Sequence, residues 1–454
     1  MSALDQYLQQ NQAKFLDQLK AALRIPSVSA QPQFKGDVRK CAEHIAAHLK
    51  SIGMTHAEVV TTPGHPVVYA EWLGAPGKPT ALLYGHYDVQ PPEPLELWES
   101  PPFEPVEKDG KLIARGACDD KGQIYMHFSA IEAHLAVNKA LPVNLKLVIE
   151  GEEEAGSESL EGFLRDWHDR LKADVILVSD TGMLSPDQPA LTYALRGILY
   201  TQIEVVGPTR DLHSGVFGGA VQNPANALAN IITALKDADG RITVPGFYDK
   251  VRELSESEKA AYAAMPFDEK AFIAEAGSPM GWGEKGRSTL ERIWSRPTLD
   301  VNGMWSGYTG EGSKTVLPSF AAAKVSCRLV PDQDPDALFE AFAAHVKSLA
   351  PPTVTVTVKN LHGAQPWITA PDHPMIQAAV RALGRAWTKK PALIREGGSI
   401  PVMATFQKTL GLPCILMGFG LTDDQVHAPN EKFSLTSFHG GTRSCAYLYE
   451  ELAK

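Results

Sequence analysis

The stretch Leu82-Leu83-Tyr84-Gly85-His86-Tyr87-Asp88 ends an apolar run in an imidazole and, two positions on, a carboxylate. Side chains at i and i+2 of an extended chain share a face. Asp88 is therefore placed to hold the second ring nitrogen of His86, an arrangement that fixes the tautomer of a metal-bound imidazole. Taken alone, the pair also fits a strand-end histidine followed by a turn aspartate. Acids recur at similar junctions. Asp119-Asp120 lies between a short strand at 111–115 and a helical pattern that begins at 124. Glu150-Gly151-Glu152-Glu153-Glu154 follows the apolar run 143–149, and Ser179-Asp180 follows 175–178. His427 comes much later, in Asp424-Gln425-Val426-His427-Ala428-Pro429-Asn430-Glu431. Each acid singly suits a turn or a helix cap. Jointly, two imidazoles and several carboxylates at strand ends suit a site for two divalent cations such as zinc, manganese or cobalt.

Something must bring these residues together, and the pattern of the chain indicates what. Helical spacing over 4–23 and 38–52 is followed by strand-like runs at 57–60, 67–73, 80–84, 143–149 and 175–178, with a long helical pattern at 124–137. Strands alternating with helices predict an α/β layer, and in such sheets function gathers at the carboxyl ends of the strands. The character changes at Gly197. A half-buried strand at 198–206, a helix at 224–235, a strand at 320–329, a helix at 337–349 and a strand at 354–358, with room for a fourth strand, predict a small ferredoxin-like α+β domain. The charged segment 237–296, with scattered Pro and Gly, reads as a peripheral insertion. The first layer resumes near Asp372 with a helix at 374–387, a strand at 414–417 and a final helix. The expected organisation is a catalytic α/β domain formed by 1–196 and 369–454. Its mainly parallel sheet is flanked by helices, and the smaller domain 197–368 interrupts it.

The composition agrees with two domains. At 454 residues and 44% hydrophobic the chain exceeds the ~250 to 300 residues at which single cores stop growing. Lys+Arg 43 against Asp+Glu 53 gives a net charge of -10, and the charges are dispersed, so neither nucleic acid nor a membrane surface is expected as a partner. A small or peptide-sized partner fits better. Five cysteines without C-x-x-C spacing argue against a disulfide framework or a cysteine zinc site. Cys118 sits beside Asp119 with no basic partner in sequence, so it is expected to be a buried structural thiol. The first residues lack a basic stretch followed by an apolar core, and no window approaches the ~18 apolar residues of a membrane span. A cytoplasmic protein is the expectation.

The chain resembles the M20 family of metallopeptidases, most closely its cytosolic nonspecific dipeptidase and carnosinase branch. The resemblance rests on His86-x-Asp88, Gly116-x-x-Asp119-Asp120-Lys121-Gly122, Glu150-Gly151-x-Glu153-Glu154-x-Gly156-Ser157, Ser179-Asp180 and His213-Ser214-Gly215. It continues through Lys314-Thr315-Val316, Arg328-Leu329-Val330-Pro331, Glu396-Gly397-Gly398-Ser399-Ile400-Pro401 and His427. It implies two divalent ions per subunit, zinc ahead of manganese or cobalt. Asp119 would bridge them, with His86 and Asp180 completing one site and Glu154 and His427 the other. Asp88 would orient His86, the Asp119-Asp120 bond would be cis, and Glu153 would be the general base for a water held between the metals. Arg328, Thr315 and Ser399 would hold the carboxylate of a dipeptide, His213 would donate to the scissile carbonyl oxygen, and His362 would touch substrate. The resemblance also implies a homodimer through the smaller lid domain, with His213 reaching the partner's metals. An N-acyl amino acid deacylase on the same scaffold, acting on a small acylated amino acid, is the competing function. A non-catalytic binding protein that kept the fold would be expected to lack a ligand or the base, and neither is missing.

Overall fold

The apolar runs that end in the candidate residues are neighbouring strands of one sheet in the computed structural model, which describes residues 1–398 and 400–454. The chain divides into two units. Met1–Tyr193, Thr369–Ile394 and Thr405–Lys454 form the first, and Ala194–Ile368 with Arg395–Ala404 form the second. The segment carrying Glu396 and Gly397 thus groups with the second unit, although continuity of sequence had assigned it to the first.

In the first unit the strand order is His56–Val60, Val67–Trp72, Asn144–Glu150, Thr80–His86, Val175–Val178, Cys414–Leu416 and Ala190–Leu195. The sheet is mixed. Its four central strands, from Asn144–Glu150 to Cys414–Leu416, run parallel, and antiparallel partners flank them. Every residue of Thr80–His86 except Thr80 is buried, as is all of Val175–Val178, which is why these strands read as continuous apolar runs rather than alternating ones. Parallel pairing aligns carboxyl ends. His86 lies opposite Glu150, and Tyr84 lies opposite Val178, so Asp180 two residues on comes level with His86.

The helix Lys121–Asn138 is buried on all sides along its first fourteen residues. That explains its lack of an apolar stripe. It packs against Leu435–Leu452, which in turn packs on Pro374–Ala386. Its first turn sits tightly on the preceding loop: a Cβ at Gly122 would lie 1.9 Å from the carbonyl oxygen of Ala117. Lys121, buried at that turn, donates from Nζ to the carbonyls of Ala22 (3.1 Å) and Ile25 (2.8 Å).

The second unit contains a four-stranded antiparallel sheet in the order Thr298–Ser306, Phe320–Leu329, Gly197–Val206, Thr355–Ala364. The helices Pro224–Ala234 and Pro335–Ser348 cover one face and share its core with Leu199, Ile203, Val325, Cys327 and Leu329. This is the ferredoxin-like arrangement. The fourth strand, Thr298–Ser306, escaped pattern reading because only Leu299 of its nine residues is buried and a bulge falls between Val301 and Gly303. The segment 237–296 holds three short helices, two of them started by capping boxes at Ser255 and Ser288, and a small cluster of its own around Leu254, Tyr262 and Leu290. All five cysteines are buried, and none is in a disulfide. Among the described residues no helix is long and apolar enough to cross a membrane.

Candidate metal centre

His86 closes its strand behind Gly85, where a side chain is excluded: a Cβ there would stand 2.3 Å from Ile124 Cγ2 and 2.8 Å from Asp120 Oδ2. The imidazole is fully buried. Its Nδ1 lies 3.1 Å from the main-chain carbonyl of Asp88 and 3.4 Å from that residue's Oδ1. The i, i+2 pairing predicted from sequence is present, but the nearer partner is the backbone oxygen. The Asp88 carboxylate instead accepts the amide N–H groups of Glu153 (3.2 Å) and Glu154 (3.0 Å), and so positions the acidic loop.

Asp119 precedes a cis peptide bond to Asp120. Its Oδ1 is 3.0 Å from His86 Nε2, and its Oδ2 is 3.0 Å from His427 Nε2. Asp180 Oδ2 comes within 3.8 Å of His86 Nε2, and Glu154 Oε2 within 3.3 Å of His427 Nε2. Two sets of donor atoms result, His86 with Asp119 and Asp180 and Asp119 with Glu154 and His427, each within 4.8 Å of one another and with Asp119 common to both. His86 Nε2 is buried and, although 3.0 Å from Asp119 Oδ1, is not aligned for a hydrogen bond; a cation between the two donors would satisfy both. Mixed imidazole and carboxylate donors, one carboxylate shared, fit a pair of divalent ions.

The electrostatics point the same way. Burial disfavours a charged His86, yet the Asp119 and Asp88 carboxylates outweigh it and hold the ring's pKa well above the ordinary value. His427 is raised to about 10, first by its hydrogen bond to Asp119 and then by Glu154. Burial would raise Asp119, but its two histidines hold it well below the usual carboxylate range. Asp180 is pushed well up by burial and by Asp119. Glu153, in neither donor set, is raised to about 7 by burial together with Glu154, Asp119 and Asp88, against the pull of His86. Carboxylates outnumber compensating charge, and the site calls for cations.

Several supporting residues had no role assigned from sequence. Gln90 donates to Glu154 Oε2 at 2.7 Å. Glu150, raised to about 8 chiefly by burial, accepts from Tyr84 (2.5 Å) and Ser157 (3.0 Å) beneath the acidic loop. Gln90 stands two residues past Asp88, which was a local signal. Tyr84 and Ser157 gave none, because their role depends on strand pairing.

Among the described residues, the remaining expected ones lie in the second unit. His213 is exposed, pairs with Val316, and accepts the amide of Gly215 at Nδ1 (3.0 Å). The carbonyl of Thr315 accepts from both the amide and the hydroxyl of Ser214 at 3.1 Å, so the His213 and Thr315 motifs are adjacent. Arg328 alternates with the core residues Cys327 and Leu329 and therefore faces the side of the sheet away from the helices. His362 follows a bulge on the far side of the same central strand, opposite Tyr200, whose ring it meets edge-on at 6.5 Å. Arg196, noted in sequence only as a boundary, donates from Nε to the Gly397 carbonyl at 3.0 Å, and its pKa is lowered to about 10 by burial and by the charge of Arg328. Ser399 lies outside the described residues.

Comparison with known proteins gives four informative likenesses. The profile of Peptidase family M20/M25/M40 matches residues 82–451. A Cys-Gly metallodipeptidase of Schizosaccharomyces pombe is 34% identical over 99% of this chain and 98% of its own. The crystal structure of human carnosine dipeptidase 1 superposes with a TM-score of 0.77 at 32% identity, covering 100% of this chain and 99% of that one. An M20 family metallo-carboxypeptidase of Sulfolobus solfataricus reaches a TM-score of 0.80 at 31% identity over 97% of this chain and 99% of its own.

Proposed function

The chain belongs to peptidase family M20/M25/M40, and from that premise we propose that it is a metal-dependent dipeptidase that hydrolyses the peptide bond of free dipeptides. The observation that carries this reading is the pair of donor sets joined by Asp119, with Glu153 beside them and titrating near neutrality. The dipeptidases among its relatives, matched along nearly their whole length, support the choice of substrate.

In this reading His86 and Asp180 would hold one divalent cation, Glu154 and His427 would hold the other, and Asp119 would be shared by both sites. Zinc is the ion we assign; manganese and cobalt suit the same donors. When bound, such cations polarise a carbonyl and lower the pKa of water. Glu153, with its pKa of about 7, accepts the proton of the attacking water and returns it to the leaving amine as the C–N bond breaks. Asp88 keeps Glu153 and Glu154 in place through their amides. The planar fork of Arg328, with Thr315 and Ser399, takes the substrate's carboxylate, His362 touches the substrate, and His213 donates to the carbonyl oxygen as negative charge develops on it.

A homodimer through the second unit, each subunit lending His213 to its partner, belongs to the same proposal. Exposed Val301, Met304 and Trp305 on the edge strand Thr298–Ser306 support it. A cytoplasmic location is also part of the proposal, and five buried cysteines outside any disulfide fit it.

The test is removal and return of metal. Chelation should abolish hydrolysis of an unblocked dipeptide, and Zn²⁺, Mn²⁺ or Co²⁺ should restore it. Full activity in protein shown to be metal-free overturns the reading. Cleavage of N-acetylated amino acids in preference to free dipeptides replaces it with a deacylase.

A further inference from the structure

Glu431 and Arg115 form a buried ion pair, each about 1% exposed. The Glu431 carboxylate accepts four hydrogen bonds: at Oε2 from Arg115 Nη1 (2.8 Å) and the Gly116 amide (2.9 Å), and at Oε1 from the amides of Cys118 (2.9 Å) and Asp119 (3.1 Å). Its main-chain carbonyl accepts a further bond from the Ala114 amide at 3.0 Å. The convergence of three amides on one carboxylate is possible because Gly116 adopts φ +81°, a conformation open to glycine that turns successive N–H groups inward. Such a concave row of amides binds an anion, and here the anion is supplied by the chain itself.

The two ends of this clamp are the two ends of the metal centre. One side is the loop whose last amide belongs to Asp119, the carboxylate shared by both donor sets. The other side is Glu431, four residues after His427 on a loop where Gln425, His427 and Asn430 all have positive φ. Asp119 and His427 are 308 residues apart in sequence, and the hydrogen bond between them, Asp119 Oδ2 to His427 Nε2 at 3.0 Å, uses the atoms that would take a cation. Glu431 spans them by side chain and main chain together, while the strand Lys432–Ser434 that it leads into pairs with Lys111–Ile113 just upstream.

We propose that Glu431 is a positioning residue for the metal centre: it presets the separation of Asp119 and His427, so that the bridging carboxylate and the distal imidazole are in place before either cation binds. This rests on the reading of those residues as metal ligands. Ordering two loops on metal binding costs conformational entropy, and a clamp that orders them beforehand tightens binding by removing that cost. Loss of such outer partners typically weakens metal affinity ~10- to 100-fold.

Glu431→Gln tests it. The side chain keeps its size, but one oxygen becomes an N–H group facing donors. Metals per subunit, Zn²⁺ affinity by competition with a chromogenic chelator, and Tm with and without Zn²⁺ are measured beside wild type. Glu451→Gln is the comparison variant: it removes another buried carboxylate of the first unit, paired with Arg381 (2.9 Å), Arg385 (3.0 Å) and Lys454 (2.7 Å). Both variants should lower the metal-free Tm. Only Glu431→Gln should weaken Zn²⁺ by ~10- to 100-fold, shrink the metal-induced rise in Tm, and recover most of its kcat at saturating metal with KM unchanged.

Wild-type Zn²⁺ affinity in Glu431→Gln overturns the proposal, as does equal weakening in Glu451→Gln. If Glu431→Gln does not fold, Glu431→Asp serves. It keeps the charge facing Arg115 but shortens the arm, and must show the same weakening. A wild-type protein that binds fewer than two metals defeats the ligand reading itself, a different outcome from two metals bound equally well by wild type and variant.

Discussion

The two units present opposite chemistry. In the first, five carboxylates (Asp88, Asp119, Glu153, Glu154, Asp180) converge with two imidazoles at the carboxyl ends of parallel strands, and most of these groups are displaced from their ordinary pKa. In the second, the groups of interest are basic. His213 is exposed, while Arg328 and His362 sit along the sheet beside the lowered Arg196. The difference comes from burial. Groups taken out of water feel one another at low effective dielectric, so an excess of one sign becomes a demand for the other. The first unit gathers an excess of buried negative charge around two donor sets. The second carries basic side chains, with Arg196 and Arg328 close enough for the charge of one to lower the pKa of the other.

The strongest way to break this contrast is to neutralise the two adjacent glutamates in turn. Glu153→Gln should retain two metals per subunit and unchanged KM while kcat falls by ~10² to 10⁴, the usual worth of a positioned acid–base group, or more. Glu154→Gln should lose metal instead. The reverse pattern in metal analysis would exchange their roles.

A smaller loss tests the second unit. His213→Ala should cost ~10² to 10³ in kcat, the worth of one oxyanion donor, with metal content intact. Mixing it with Glu153→Gln sharpens the point. Exchanged heterodimers regain activity if His213 serves the partner's site, since one site then has both groups. Verified heterodimers that stay inactive show that it serves its own.

The smallest effect is on pH. In metal-free protein His427 has a pKa of about 10, so at neutral pH binding metal there must displace a proton, and affinity should tighten as pH rises towards 10. Stability moves the other way. A histidine raised from ~6.5 to about 10 on folding stabilises the metal-free protein fully below pH 6.5, and loses that contribution between pH 6.5 and 10. The effect is modest because the side chain is 53% exposed. Metal affinity that is flat from pH 6 to 9 by titration would contradict the account.

Much of this site could be read from residues near one another in the chain. Buried parallel strands are continuous apolar runs, so the points where His86 and Asp180 begin to do chemistry were visible as the points where hydrophobicity stops. The ferredoxin-like unit was visible from the alternation of Gly197–Val206 and Phe320–Leu329 about their buried faces. The strand Thr298–Ser306 was not, because an edge strand that is mostly solvated and bulged has no period to detect. The helices at Glu256–Ala263 and Glu269–Glu275 were hidden by their short length and charge, although their capping residues were present.

The sequence by itself determined which residues could ligate, which could transfer a proton and at which strand ends they would stand, since those follow from side-chain chemistry and local periodicity. The tertiary structure alone decided that Asp88 would spend its carboxylate on the amides of Glu153 and Glu154, that Glu153 would titrate near 7, and that Glu431 would clamp the Asp119 loop from 312 residues away. Each of these depends on burial or on hydrogen bonds between segments remote in the chain. Distances of that kind are set by how strands and helices pack, and no local pattern encodes them.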